Sequence, residues 1–204
     1  MKEKKRSLFY RLLRAYLYSS LHIALIGGFT YYLAHYRMYN NLFESLFFGI
    51  SVFIFYNFSR FVRIKNYEKI QDNPHLYWIS KNFTELLFVN GFCIVFLILL
   101  HTKVEIQTFF PWFTLPLCIL YLFIRKIKYL KNIIIAIVWW ACIRNYEDSL
   151  NRVLFDTSII IYFFFLSIWY DRKDLPNGKK YELYYLFGVD ILMLLPFLID
   201  RLLK

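Results

Sequence analysis

Residues 159–180 read IIIYFFFLSIWYDRKDLPNGKK. The uncharged run ends at Tyr170, and six charges then fall within ten positions: Asp171, Arg172, Lys173, Asp174, Lys179 and Lys180. A strand of a transmembrane barrel would alternate polar and apolar residues. This run does not, and neither does ILMLLPFLI at 191–199. An unbroken apolar block that stops at a charged cluster is the pattern of a helix crossing a bilayer and ending in water.

The rest of the chain repeats that pattern. Of 204 residues, 59% are hydrophobic and 23% are Phe, Tyr or Trp, more apolar surface than a soluble domain of this size can bury. With 6 Gly and 5 Pro, the composition argues against low-complexity disorder. Apolar blocks of about 20 residues, the thickness of the hydrocarbon layer, alternate with short charged breaks. The expected fold is an all-α polytopic membrane protein forming one domain over residues 1–204. The blocks predict seven spans near 15–36, 42–62, 83–101, 106–124, 131–143, 153–170 and 182–203. The fifth is short and has room to begin near Lys128. Pro111 and Pro116 should bend the fourth span, and Pro196 the seventh, because proline removes a backbone donor. The first block is long, contains His22 and lacks a small-residue cleavage site, so it reads as a span rather than a signal peptide.

Lys and Arg orient the bundle. With the N-terminus in the cytoplasm, residues 1–14, 60–81, 125–131 and 171–180 share one side and carry 19 of the 25 cations. The asymmetry satisfies the positive-inside rule. It also accounts for the net charge of +11, so no nucleic-acid partner is implied. The basic face suits anionic lipid headgroups. Cys93, Cys118 and Cys142 sit inside apolar blocks without metal-like spacing and read as small buried hydrophobes.

Three polar clusters share the cytoplasmic side, each after an even-numbered span: FYNFSRFVRIK, YLFIRKIKYLK and DRKDLPNGKK. At these clusters the chain resembles the UbiA superfamily of intramembrane prenyltransferases. YLFIRKIKYLKNIIIAIVWW (121–140) resembles the family's fourth-to-fifth connection. Tyr121 and Arg125 stand at its Tyr-x-x-x-Lys positions, with Arg in place of Lys. WYDRKDL resembles the start of the second Asp motif through Asp171 and Asp174, and FYNFSRF resembles the first motif through Asn57. SSLHIALIGGFT is similar to first helices of a divergent bacterial branch. The resemblance implies a UbiA-like bundle in the bacterial inner membrane, and transfer of an isoprenoid chain from its diphosphate to an acceptor if the chain is active. It departs from the pattern in three ways. From Asn57 to Lys65 there is no carboxylate, the third carboxylate of the second motif is absent, with Gly178 or a deletion at its position, and the family fold has nine helices against the seven spans counted.

Prenyl transfer requires neutralising the charge that develops on a diphosphate, usually by Mg²⁺ with supporting Lys or Arg. On the resemblance, Asp171 and Asp174 would ligate one Mg²⁺ at most. Asn57, Arg60, Tyr121, Arg125 and Lys126 would bind the diphosphate or another lipid phosphate. A second arrangement pairs Arg60 or Arg63 directly with Asp171 or Asp174, an ion pair in place of the metal. Asp190, within the seventh span, is a functional suspect as an intramembrane carboxylate, with a structural bond inside the bundle as the alternative. His22 reads as a hydrogen-bonded packing histidine. Asp156 and Glu44 read as interfacial, and the Trp139–Trp140 pair suits either the aromatic belts or the lining of an isoprenoid groove. Two functions are therefore expected of these residues. One is a degenerate prenyltransferase relative that binds an isoprenoid or lipid phosphate. The other is a non-catalytic subunit of a membrane complex, its exposed faces covered by a partner protein or a second copy.

Overall fold

The computed structural model of the chain describes residues 8–35, 41–65, 74–103, 115–124, 127–143, 150–170 and 192–202. These residues are helical apart from short turns. The helices are α1 (Leu8–Tyr18), α2 (Leu21–Ala34), α3 (Asn41–Lys65), α4 (Pro74–Lys81), α5 (Phe83–His101), α6 (Leu115–Ile124), α7 (Lys128–Ile143), α8 (Leu150–Tyr170) and α9 (Leu195–Leu202). Two of them, α3 and α5, are long and apolar enough to cross a membrane singly. The α1–α2 pair makes a third if it counts as one bent span. The described residues thus form an all-helical bundle with two or three helices of membrane-spanning length.

Helix α2 is the centre. It packs lengthwise on α3 and also touches α7 and α9, while α8 lies on α7 and α5 on the other side of α3. The α2–α3 contact is set by two glycines. A Cβ on Gly28 would lie 2.9 Å from the backbone oxygen of Ser45, and one on Gly49 would lie 2.9 Å from that of Ala24. Backbones this close need small residues at the crossing, the usual device between helices that have no hydrophobic drive to associate in lipid. The core continues from Ile23 and Tyr31 through Phe48 and Val52 to Ala136 and Trp139, then to Ile159, Phe163 and Phe197. Trp139 is therefore a core residue rather than part of an aromatic belt. Its ring lies between those of Phe48 and Phe163, at 5.8 and 6.1 Å. The Tyr162 hydroxyl donates to the backbone oxygen of Leu192 at 2.6 Å and ties α8 to the segment entering α9.

The outer face of α5 has no protein against it among the described residues. Phe88 is 81% exposed and Phe92 69%, and a Cβ on Gly91 would meet nothing within 4 Å. A stripe this apolar is stable in lipid or under a partner, not in water.

Two expectations are corrected here. The first span, read as one helix over 15–36, is broken at Ser19–Ser20, and its halves meet at 60°. The basic segment 60–81, read as a connection, is helical at both ends: α3 runs on to Lys65, and α4 fills 74–81. Helix α4 opens with proline, whose fixed φ suits a first turn. It then buries Leu76 and Ile79, one turn apart, against its neighbours. A short amphipathic helix of this kind carries too few apolar residues to stand out from a charged loop. The third span matches α5 residue for residue, and α7 begins at Lys128. Residues 104–114 and 171–191 lie outside the described set, with Pro111 and much of the fourth and seventh spans.

Candidate functional site

The break between α1 and α2 is the best-defined polar arrangement among the described residues. Tandem serines compete for backbone hydrogen bonds and weaken a helix. Ser20 adopts a left-handed conformation, φ 68°, which in a non-glycine residue costs about 1–2 kcal/mol. The last carbonyls of α1 then lose their helical donors. Helix α3 makes up the loss. The Arg60 guanidinium donates from Nη1 to the backbone oxygen of Tyr18 at 2.9 Å and to Ser20 Oγ at 2.6 Å. The Ser20 hydroxyl in turn donates to Asn57 Oδ1 at 3.2 Å. Bonds from a charged donor contribute about 1.5–3 kcal/mol each, enough to offset the strain at Ser20. Ser20 and Asn57 are both wholly buried. The positive charge of Arg60 also sits at the C-terminal end of α1, where a cation is favoured.

Two of the expected phosphate ligands, Asn57 and Arg60, thus meet at one point, and that point is a helix junction. Asn57 still has a donor to spare, since its Nδ2 is buried without a hydrogen-bond partner. Asn132, in the first turns of α7, is wholly buried with both amide atoms unpartnered. Its sequence signal was slight: one amide beside a run of isoleucines.

Tyr121 lies elsewhere. It helps to wall a cavity of about 560 Å³ between α3, α5, α6 and α7. Phe47, Phe55, Cys118, Ile135 and Trp139 form much of the rest, and the Phe55 and Tyr121 rings are 6.3 Å apart. The polar atoms on this wall are largely occupied. Ser51 Oγ donates to the carbonyl of Phe47, and Ser59 Oγ to that of Tyr56, each at 2.8 Å. A cavity of this size and lining suits a hydrocarbon chain and not a charge. Asn57 faces the α1–α2 junction, so α3 separates it from the cavity.

Arg125, Lys126, Asp171, Asp174 and Asp190 lie outside the described residues, as does the ion pair expected of Asp171 or Asp174 with Arg60 or Arg63. Among the described residues, no three His, Cys, Asp or Glu side chains come together to hold a metal. The carboxylates expected to ligate Mg²⁺ are not in that set, so the fit of Mg²⁺ rests on sequence alone. His22 is buried, with its ring edge-on to Tyr16 at 6.0 Å. Glu44 accepts a hydrogen bond from the Tyr31 hydroxyl at 2.9 Å.

Fold and site together define an apolar helical bundle with a hydrocarbon-sized cavity and a stapled helix break. No protein-family model, curated protein or solved structure matches this chain.

Proposed function

We propose that this chain is a divergent, UbiA-like integral membrane protein of seven spans, with its N-terminus on the cytoplasmic side of a bacterial inner membrane. Its proposed role is to bind a lipid phosphate, isoprenoid or otherwise, with the hydrocarbon chain in the cavity between α3, α5, α6 and α7. The observation that carries this reading is the cavity itself, whose lining is almost wholly aliphatic and aromatic. Tyr121 is on its wall, and in sequence the cations Arg125 and Lys126 follow within five positions, the right chemistry for a phosphate at its mouth. Prenyl transfer is not part of the proposal, because no carboxylate lies between Asn57 and Lys65 to hold a second metal.

The test is native mass spectrometry of the chain extracted gently from its own membrane, beside Ser51→Phe, which fills the cavity. The expected result is a lipid-phosphate adduct on a single chain that Ser51→Phe loses while keeping its helix content and melting temperature. Equal adducts on both proteins would refute the cavity as the binding site.

One observation favours the second reading, a non-catalytic subunit. Asn57 and Arg60 are committed to the α1–α2 junction, and the exposed phenylalanine stripe on α5 offers a surface for another helix. A mass that requires a second polypeptide, with no lipid adduct, would support that reading over the first.

A further inference from the structure

Helix α1 departs from the bundle at 60° to α2 and is amphipathic along its whole length. At helical spacing, Leu8, Phe9, Leu12, Leu13, Tyr16 and Leu17 fall on one half of its circumference. Tyr10, Arg11, Arg14 and Tyr18 fall on the other. Its C-terminal end is anchored: Leu17 and Tyr18 are buried, and the Tyr18 ring meets Trp78 of α4 edge-on at 6.0 Å. Among the described residues, none covers its N-terminal end. Leu8 is 69% exposed, Phe9 73% and Leu12 60%. The guanidinium of Arg14 lies over the rings of Tyr10 and Tyr18, at 5.4 and 5.3 Å, and Arg11 is exposed beside it.

We propose that α1 is an oblique helix at the membrane boundary that docks on anionic phospholipid, rather than the first half of a straight spanning helix. The inference rests on the reading that the chain is embedded in a bilayer, and it concerns a surface separate from the cavity. Three considerations support it. First, the geometry fits. Helix α2 has 14 residues, a length of about 21 Å, short of the ~30 Å hydrocarbon layer. With α2 along the membrane normal, the 11 residues of α1 inclined at 60° add a rise of only about 8 Å. The two together reach about 29 Å, so α1 slants through the outer third of the layer and brings Leu8 and Phe9 to its headgroup boundary. Second, the faces fit. Three exposed large apolar side chains within five residues are unfavourable in water, and two arginines within four residues are unfavourable in hydrocarbon. The boundary satisfies both. Third, the charge fits. Lys2, Lys4, Lys5 and Arg6 precede the helix in sequence, against the single carboxylate of Glu3. A basic, amphipathic segment beside a span attracts anionic headgroups. The staple at Ser20 fixes the direction in which α1 leaves the bundle, so Arg60 and Asn57 would set the angle of the docking surface.

The test uses the full chain in nanodiscs of phosphatidylcholine with or without phosphatidylglycerol. Cys93→Ala, Cys118→Ala and Cys142→Ala clear the native thiols. A single cysteine at Leu12→Cys, or at Phe92→Cys in the middle of α5, carries an environment-sensitive dye. Quenching by lipids labelled near the headgroup or deep in the acyl chain reports depth. The expected result is an apolar emission from position 12, quenched best by the shallow label, and from position 92 quenched best by the deep one. Local enrichment of phosphatidylglycerol around position 12 should fall roughly fivefold for each arginine removed in Arg11→Gln and Arg11→Gln/Arg14→Gln. Arg11→Lys should restore it. Water-like, unquenched emission at 12 with deep quenching at 92 would overturn the inference alone, as would deep quenching at 12 or enrichment indifferent to both arginine variants. Water-like emission at 92 would overturn the membrane reading and the inference with it.

Discussion

Replacing Arg60 by alanine separates a structural cation from a ligand-binding one. In the folded chain, Arg60 Nη1 holds two acceptors on the first turns either side of the helix break, Tyr18 O at 2.9 Å and Ser20 Oγ at 2.6 Å. At about 1.5–3 kcal/mol for each bond from a charged donor, the pair sets an upper limit of about 3–6 kcal/mol. Arg60 is half-buried, so water would recover part of this, and the net loss for Arg60→Ala should be about 2–3 kcal/mol. For a chain of this size that corresponds to a fall in melting temperature of roughly 4–12 °C. Arg60→Lys should fall between, since an ammonium on a flexible stem does not reproduce the guanidinium fork. Asn57→Leu should cost less than Arg60→Ala. It removes one bond, to Ser20, but also removes the unpartnered Nδ2 from the interior. Melting is followed by circular dichroism in mild detergent, and amide hydrogen exchange is read at residues 17–24. The expected exchange result is faster opening of the α1–α2 junction in Arg60→Ala, with α5 unchanged. An Arg60→Ala protein that melts within ~0.5 kcal/mol of the parent, the range of an ordinary surface change, would refute the staple. If that protein had also lost its lipid adduct, Arg60 would be a phosphate ligand after all.

Three further outcomes are expected. Gly28→Ala and Gly49→Ala each drive a methyl group to within 2.9 Å of a backbone oxygen on the facing helix, so each should destabilise by about 1–3 kcal/mol in a detergent melt; parent-like melting would show that the α2–α3 crossing is looser than described. Phe92→Lys places a charge near the middle of the exposed face of α5, where insertion into a bilayer costs about 2.5–3.5 kcal/mol; the variant should insert α5 less completely, read by thiol accessibility at the ends of α5 in membranes, and unchanged insertion would mean that α5 does not face lipid. Asn132→Leu should raise stability by about 1–3 kcal/mol, because the wholly buried amide has no partner for either polar atom; a fall in the chemical melt would identify it as part of a polar site.

The fold was legible where one block of sequence carries the whole physical decision. Helix α5 is such a block: nineteen residues bounded by Asn82 and Thr102, apolar on nearly every face, whose length alone matches a bilayer. Helix α7 is another, begun by Lys128 and held by Ile134, Ala136 and Trp139 in the core. Where several segments decide together, the single block misleads. Ser19 and Ser20 are mild residues in an apolar run, and nothing local says that the chain must turn by 60° there. The turn is stable because Arg60, forty residues on, supplies donors that the broken helix lacks. Likewise α4 was hidden among charges, since only Leu76 and Ile79 pack and their partners are remote.

The candidate site shows the same limit in its chemistry. A cation at the end of a membrane helix reads from sequence as a group waiting for an anion. What it needs is an electron-rich oxygen in a place poor in water. A phosphate supplies one, and so does the orphaned carbonyl at the end of a broken helix. The sequence shows the donors and not the oxygens. Arg60 donates to the carbonyl of Tyr18, and Asn57 Oδ1 accepts from the hydroxyl of Ser20, because the break brought those groups to them. Arg60 fits a helix end whose work is to hold α1 at an angle. The hydrocarbon cavity lies on the other side of α3 and asks nothing of these residues. The two faces of α3 thus answer to different constraints, one holding the α1–α2 junction and the other walling the cavity.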